Sequence, residues 1–215
     1  MPRLATNNAS SAPLATTKSA KTRARILDAT AHILCRKGFS GTRLSDIADR
    51  AECQAPAIYY YFESREDLIE EVIWQGMAHL HDHVRKALKA ASSVSPAERL
   101  NIALEQHLRF ILTESDYTMA AIRNAAQMPI ELRDRQLAEQ QKYAVLWRKL
   151  FRDVRTAGQL RPGVDERLAR MLILGSLNWS TEWWQPRGES VDTLVLNAKR
   201  MLNGGFLKEV DNEVD

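Results

Sequence analysis

An all-α fold is what this sequence predicts, and three observations carry that expectation. Apolar residues recur at helical spacing along most of the chain, cap and stop residues punctuate those stretches, and no segment alternates polar and apolar residues between turn signals. Breakers are few, with 9 glycines and 7 prolines in 215 residues. Helix formers such as Ala, Leu, Arg, Glu and Gln dominate the rest. About nine helices are expected.

Residues 1–20 are mostly Ala, Ser, Thr and Asn and are expected to form a flexible arm. Lys21 to Lys37 reads as the first helix, with Ile26, Thr30, Ile33 and Leu34 on one face and Gly38 as its stop. Thr42 is the expected N-cap of a short second helix over about 43–51, striped by Leu44, Ile47, Ala48 and Ala51. After a break at Glu52–Ala55, Pro56 opens a third helix that runs only to about Phe62. Ser64 caps a fourth, to about Ala90, and Ser95-Pro96-Ala97-Glu98 opens a fifth, to about Thr113. Further helices are expected over Tyr117–Gln127, from Pro129 to near Gly158, from the Asp165 cap to about Trp184, and over Ser190–Asn203, where Gly204-Gly205 should end the last.

Charge is divided unevenly. Residues 1–65 hold ten basic and five acidic residues, a net +5, whereas the remainder is −2. The positive end is where a polyanion would bind. No stretch approaches the roughly 18 apolar residues of a membrane span, so no membrane partner is expected and the cytoplasm is the expected location. Cys35 and Cys53 lack a metal or redox spacing and read as free thiols. No Gly-rich phosphate loop, HExxH or GxSxG occurs, so no catalytic residues and no enzyme activity are expected. His79 and His83 stand four apart and could pair on a metal, but no third ligand lies nearby in sequence, and solvated or pocket-lining histidines are the expectation.

The informative piece is residues 42–62, two short helices joined by a tight break. Such a pair suits a helix-turn-helix whose second helix enters the major groove. Tyr59, Tyr60 and Tyr61 cannot all face inward, since successive helical residues turn about 100°. Hydroxyls and amides bond phosphates or base edges, and Ala55 and Ala57 are small enough for close approach.

Taken in order, Arg25-Ile26-Leu27-Asp28-Ala29, Gly38-Phe39-Ser40-Gly41-Thr42, Asp46-Ile47-Ala48, Ala51, Pro56-Ala57-Ile58-Tyr59-Tyr60-Tyr61-Phe62 and Ser64-Arg65-Glu66-Asp67-Leu68 resemble the DNA-binding domain of the tetracycline-repressor-like (TetR) family, over about residues 22–70. The resemblance implies a helix-turn-helix domain over 21–66 and a ligand-binding and dimerisation domain over 67–215. It implies that Thr42, Tyr60, Tyr61 and Arg65 grip phosphates, and that Ser45, Gln54, Ala55, Ala57 and Tyr59 lie near bases. Arg43 replaces a common Ser or Thr and adds a candidate phosphate contact. Glu52 stands where the family often has a Gly, so a left-handed backbone is expected there.

The same resemblance implies a homodimer through the last two helices, on Leu168, Met171, Leu172 and Gly175 and on Leu194, Ala198, Met201 and Leu202. A symmetric dimer implies a near-palindromic operator, its reading helices about 34–36 Å apart. An effector cavity is expected behind, lined by Phe110, Tyr117, Met119, Arg123, Trp147, Asn178, Trp179 and Trp183. Gly175-Ser176-Leu177-Asn178-Trp179 and Trp183-Trp184-Gln185-Pro186-Arg187-Gly188 are similar to members that sense acyl-CoA thioesters. That implies an acyl-CoA or bulky apolar acid as effector, with Arg123 meeting its anionic group and the fourth helix linking cavity to reading head. An activator of the same fold, and a helical interaction protein without an operator, remain the alternatives.

Overall fold

The structure, a computed structural model, describes residues 12–208. Nine α-helices occupy them: α1 (Ala12–Gly41), α2 (Leu44–Arg50), α3 (Ala55–Ile58), α4 (Arg65–Ala90), α5 (Pro96–Arg109), α6 (Asp116–Asn124), α7 (Asp134–Thr156), α8 (Glu166–Trp183) and α9 (Val191–Phe206). Among the described residues, β pairing is confined to one isolated bridge, Leu160 with Leu207. No described helix is long and apolar enough to cross a membrane.

Helix starts follow local chemistry. The side chains of Ser64, Ser95, Ser115, Asp165 and Ser190 each accept a bond from a backbone N–H two or three residues on, satisfying donors that a helix start leaves open. Other boundaries depart from expectation. Residues 12–20 are helical rather than an arm, while 1–11 lie outside the described residues. Gly38 breaks α1 with φ 70°, as its position suggested. Thr42 does not cap α2; Arg43 occupies that position. Gly204 and Gly205 do not stop α9, which runs on to a partly buried Phe206 packed on the core. Two helical glycines cost about 2 kcal/mol together, which burial of much of the Phe206 side chain offsets.

Helix α4 is the axis of the fold, with Leu68, Ile69, Val72, Ile73, Leu80 and Val84 buried. It packs against α1, α5, α6 and α7. Its crossing with α6 is close: a Cβ on Gly76 would lie 2.3 Å from the Tyr117 carbonyl oxygen and 3.0 Å from the Ala121 Cβ. The Thr118 hydroxyl donates to the Gly76 carbonyl at 3.0 Å across the same contact.

Candidate functional site

The N-terminal helices build one exposed surface on a small core. Ile47, Ala48, Ala51, Ile58 and Phe62 are buried with Ile26 and Leu34 of α1. Helix α3 has four residues, too few to stand alone, and Ile58 and Phe62 pin it to that core. The turn before it runs through Glu52, the only non-glycine with positive φ (51°) among the described residues. Cys53 N–H then donates to the Ala48 carbonyl at 3.0 Å. The helix ends at Ile58, short of the expected Phe62, and the turn after it points Tyr59 and Tyr60 outward, Tyr60 being 81% exposed. Tyr61 is half-buried, edge-on to Tyr60 at 5.1 Å, and its hydroxyl accepts a bond from Ser19 at 3.4 Å. Arg43, Ser45 and Gln54 are exposed, and Ala55 and Ala57 partly so.

Two residues expected at phosphates are instead committed within the chain. The Thr42 side chain is buried and its hydroxyl donates to the Gly38 carbonyl at 2.8 Å, locking the corner before α2. The Arg65 guanidinium donates to the carbonyls of Phe39 (2.7 Å) and Thr42 (3.0 Å), bonds Glu66 through two nitrogens, and lies 4.8 Å over the Phe39 ring. Four bonds and a ring face leave this cation a brace of the same corner, because the carbonyls left open after the Gly38 break need donors.

Behind this domain a cavity of about 320 Å³ lies among α4 to α8. Met77, Leu80, Ala121, Ile122, Ala144 and Leu174 give it apolar walls. His107 sits in its wall, fully buried, which pushes its pKa down to about 4. The ring is therefore neutral near pH 7. The Tyr143 hydroxyl donates to its Nδ1 at 2.8 Å, and its Nε2–H donates to Asn178 Oδ1 at 3.0 Å.

Of the eight residues expected to line the cavity, only Asn178 does so. Tyr117 and Met119 instead border an open polar cleft of about 740 Å³ between α1 and α6, where Tyr117 donates to Asp28 at 2.7 Å and His32 meets Asp116 at 3.0 Å. Trp147 is buried in the core and Phe110 packs on His83. Arg123 ties α6 to its neighbours, bonding Glu182, the Thr181 carbonyl and the Cys35 carbonyl. Trp179 and Trp183 point out of the molecule, Trp179 being 65% exposed. Sequence reading missed His107, Tyr143, Gln136 and Arg170, all of which line the cavity. A signal did exist for His107: it stands on the apolar stripe of Leu100, Leu104 and Ile111, where an imidazole needs partners.

The other histidines diverge. His79 faces the Tyr117 ring, His81 bonds Glu139 at 2.7 Å, and His83 bonds Gln106 at 2.9 Å. No group of three or more His, Cys, Asp or Glu residues suited to a metal occurs among the described residues.

On α8, Leu168, Met171, Leu172 and Gly175 are exposed in line with Trp179 and Trp183, and Met201 and Leu196 are exposed on α9. Leu194 is half-buried. Ala198 and Leu202 correct the expectation for α9: both are buried inside the chain, on the side that packs against α5. Lys199 pairs with Glu105 (2.7 Å) and Arg109 with Asp192 (2.7 Å) across that contact.

Comparison with known proteins agrees with this architecture. Residues 26–72 match the family profile described as bacterial regulatory proteins, tetR family, and residues 93–202 match the tetracyclin repressor-like C-terminal domain. The chain is 23% identical over 180 residues to the fatty acid metabolism regulator protein of Bacillus subtilis strain 168, covering 80% of this chain and 88% of that one. It is 25% identical over 189 residues to the HTH-type transcriptional repressor KstR2 of Mycolicibacterium smegmatis, covering 82% and 86%. Among solved structures, AibR in complex with isovaleryl coenzyme A and operator DNA superposes with a TM-score of 0.76 at 23% identity, over 86% of this chain and 97% of that one. The second profile alone spans just over half of the residues, so the chain belongs to the tetracycline-repressor-like (TetR) family of transcriptional regulators.

Proposed function

We propose that this protein is a ligand-responsive repressor that binds a near-palindromic operator as a dimer and leaves it when an acyl-CoA-type effector occupies the cavity among α4 to α8. The observation that carries the DNA-binding half is the outward pair Tyr59 and Tyr60, the C-cap and the following turn of a four-residue helix that cannot stand alone. A helix held by its neighbours while its rings face water is arranged for a partner surface. Tyr60, Tyr61 and Arg43 are assigned to phosphates, and Ser45, Gln54, Ala55, Ala57 and Tyr59 to the neighbourhood of bases. Thr42 and Arg65 set the corner that aims them.

The helix-turn-helix unit is taken as residues 21–66 and the regulatory unit as 67–215, with α4 carrying the message between them. The exposed apolar stripe of α8 and α9, with its two tryptophans, supports pairing of two copies. The relatives support the effector class, since AibR is described with isovaleryl coenzyme A and another relative regulates fatty acid metabolism.

Selection of operators from random duplex DNA by the purified protein, repeated with a panel of acyl-CoAs, tests the whole reading. A palindrome whose recovery one thioester abolishes supports it. A palindrome insensitive to every thioester removes the effector, and no enrichment at low salt removes the DNA-binding assignment. Sedimentation of a monomer at working concentration removes the dimer.

A further inference from the structure

The cavity restricts its ligand in three ways. Its volume, about 320 Å³, is at the small end for ligand sites. A cavity of that size suits a short acyl group better than a long one.

Its polar wall is specific. His107 is held neutral, with both ring nitrogens taken by Tyr143 and Asn178. Tyr143 uses its proton on the imidazole, so its oxygen can still accept a bond. The Asn178 amide nitrogen, two donors in all, has no partner among the described residues. A donor and an acceptor thus stand side by side, apart from the Gln136–Gln140 pair that also lines the cavity. A ligand hydroxyl or carbonyl satisfies them, whereas a plain alkyl chain leaves the Asn178 donors dry.

At the outer side the cavity meets exposed Gln140, half-buried Arg170, and Met171 and Gly175 at the edge of the stripe assigned above to pairing. Arg170 has no ion pair or hydrogen bond among the described residues. Arg167 lies one turn earlier on α8, and Arg148 stands close on α7. Burial and these two neighbours all disfavour its charge, with only Glu166 opposing. A half-buried cation at the mouth without an ion pair favours an anion there. Arg123, the cation expected from sequence for this task, is occupied elsewhere.

We infer that the effector joins a short acyl group bearing a hydroxyl or carbonyl oxygen, docked on Asn178 and Tyr143, to an anionic portion held at the mouth by Arg170. This rests on the effector reading above and narrows it.

Calorimetric titration of the full chain tests it, with 3-hydroxybutyryl-CoA, butyryl-CoA, palmitoyl-CoA, free CoA and free 3-hydroxybutyrate as probes. The hydroxylated thioester is expected to bind about tenfold tighter than butyryl-CoA, one hydrogen bond's worth, with palmitoyl-CoA weaker than both. Asn178→Leu should abolish that preference while butyryl-CoA binding persists. Tyr143→Phe, which keeps ring and volume, gives the same readout should the leucine variant not fold. Arg170→Gln should weaken both short thioesters alike and reduce their salt dependence.

Tighter binding of palmitoyl-CoA than of the short thioesters overturns the inference and leaves a thioester effector standing. So does a hydroxyl preference that survives in both Asn178→Leu and Tyr143→Phe. Binding of free 3-hydroxybutyrate as tight as its thioester overturns the placement of the anionic portion at Arg170. If no probe binds, this inference and the effector class fall together, while operator selection judges DNA binding separately.

Discussion

Arg65 shows how one side chain can look like a ligand contact and act as a brace. Its guanidinium closes the corner between α1 and α2 through the carbonyls of Phe39 and Thr42. Arg65→Ala leaves both carbonyls without these donors and removes the cover of the Phe39 ring. We expect a loss of about 2 kcal/mol in stability, measured by urea unfolding, with DNA affinity falling because the reading helix loses its aim. Arg43, exposed on the same corner, behaves differently. Arg43→Ala should leave the unfolding midpoint unchanged, weaken binding to every duplex, and lower the salt slope of binding by about 1. An unaltered slope would remove Arg43 from the phosphate contacts. The distinction between the two arginines was not legible in sequence, because it depends on where the chain breaks at Gly38 and which carbonyls that exposes. The left-handed turn at Glu52 was legible only through the family resemblance, which places a glycine position there.

At the scale of elements, starts were easier to read than ends. Ser64, Ser95 and Asp165 announce their helices because a cap is a bond between near neighbours. The end of α9 is decided by what Phe206 touches, which no local pattern records. On α8 the sequence reading gave Leu168, Met171, Leu172 and Gly175 to the dimer and Asn178, Trp179 and Trp183 to the cavity. Leu168, Leu172, Trp179 and Trp183 point out, Arg170, Leu174 and Asn178 line the cavity, and exposed Met171 and Gly175 border its mouth. Aromatic content suggested Trp179 and Trp183 for the ligand beside Asn178, and of the three only Asn178 lines the cavity. The α4–α6 crossing carries a sharper prediction. Gly76→Ala places a Cβ against the Tyr117 backbone at 2.3 Å, and backbone cannot swing aside as a side chain does. The two helices must part, and we expect about 3 kcal/mol of destabilisation, seen as a lowered thermal midpoint. A wild-type midpoint would show that the crossing has slack.

For the whole molecule, acid sensitivity follows from the buried imidazole. The folded pKa of His107 is about 4, against about 6.5 for an ordinary histidine. Between those values the unfolded chain binds a proton that the folded chain refuses. Its contribution is therefore complete above about pH 6.5 and is lost as pH falls towards 4, on the order of 3 kcal/mol in all. Glu71, Glu105 and Glu139, whose pKa values are held down by bonds to arginine, lysine, histidine or glutamine, add losses at still lower pH. Glu70 opposes them, since burial raises its pKa. Unfolding free energy measured at pH 7.5 and pH 5 should fall with acid, and His107→Leu should flatten that fall. The absence of clearance at Gly76 bears on how such a molecule can move. With no room to slide, α4 and α6 must tilt together, as two spars bolted at their crossing. Gly76 is eleven residues beyond Arg65, roughly 16 Å along the helix at 1.5 Å per residue. A tilt of about 5° at the bolt would swing the far end by roughly 1.4 Å over that length. That far end holds the corner carbonyls of Phe39 and Thr42, so the angle of the spar becomes the angle at which the tyrosines are presented.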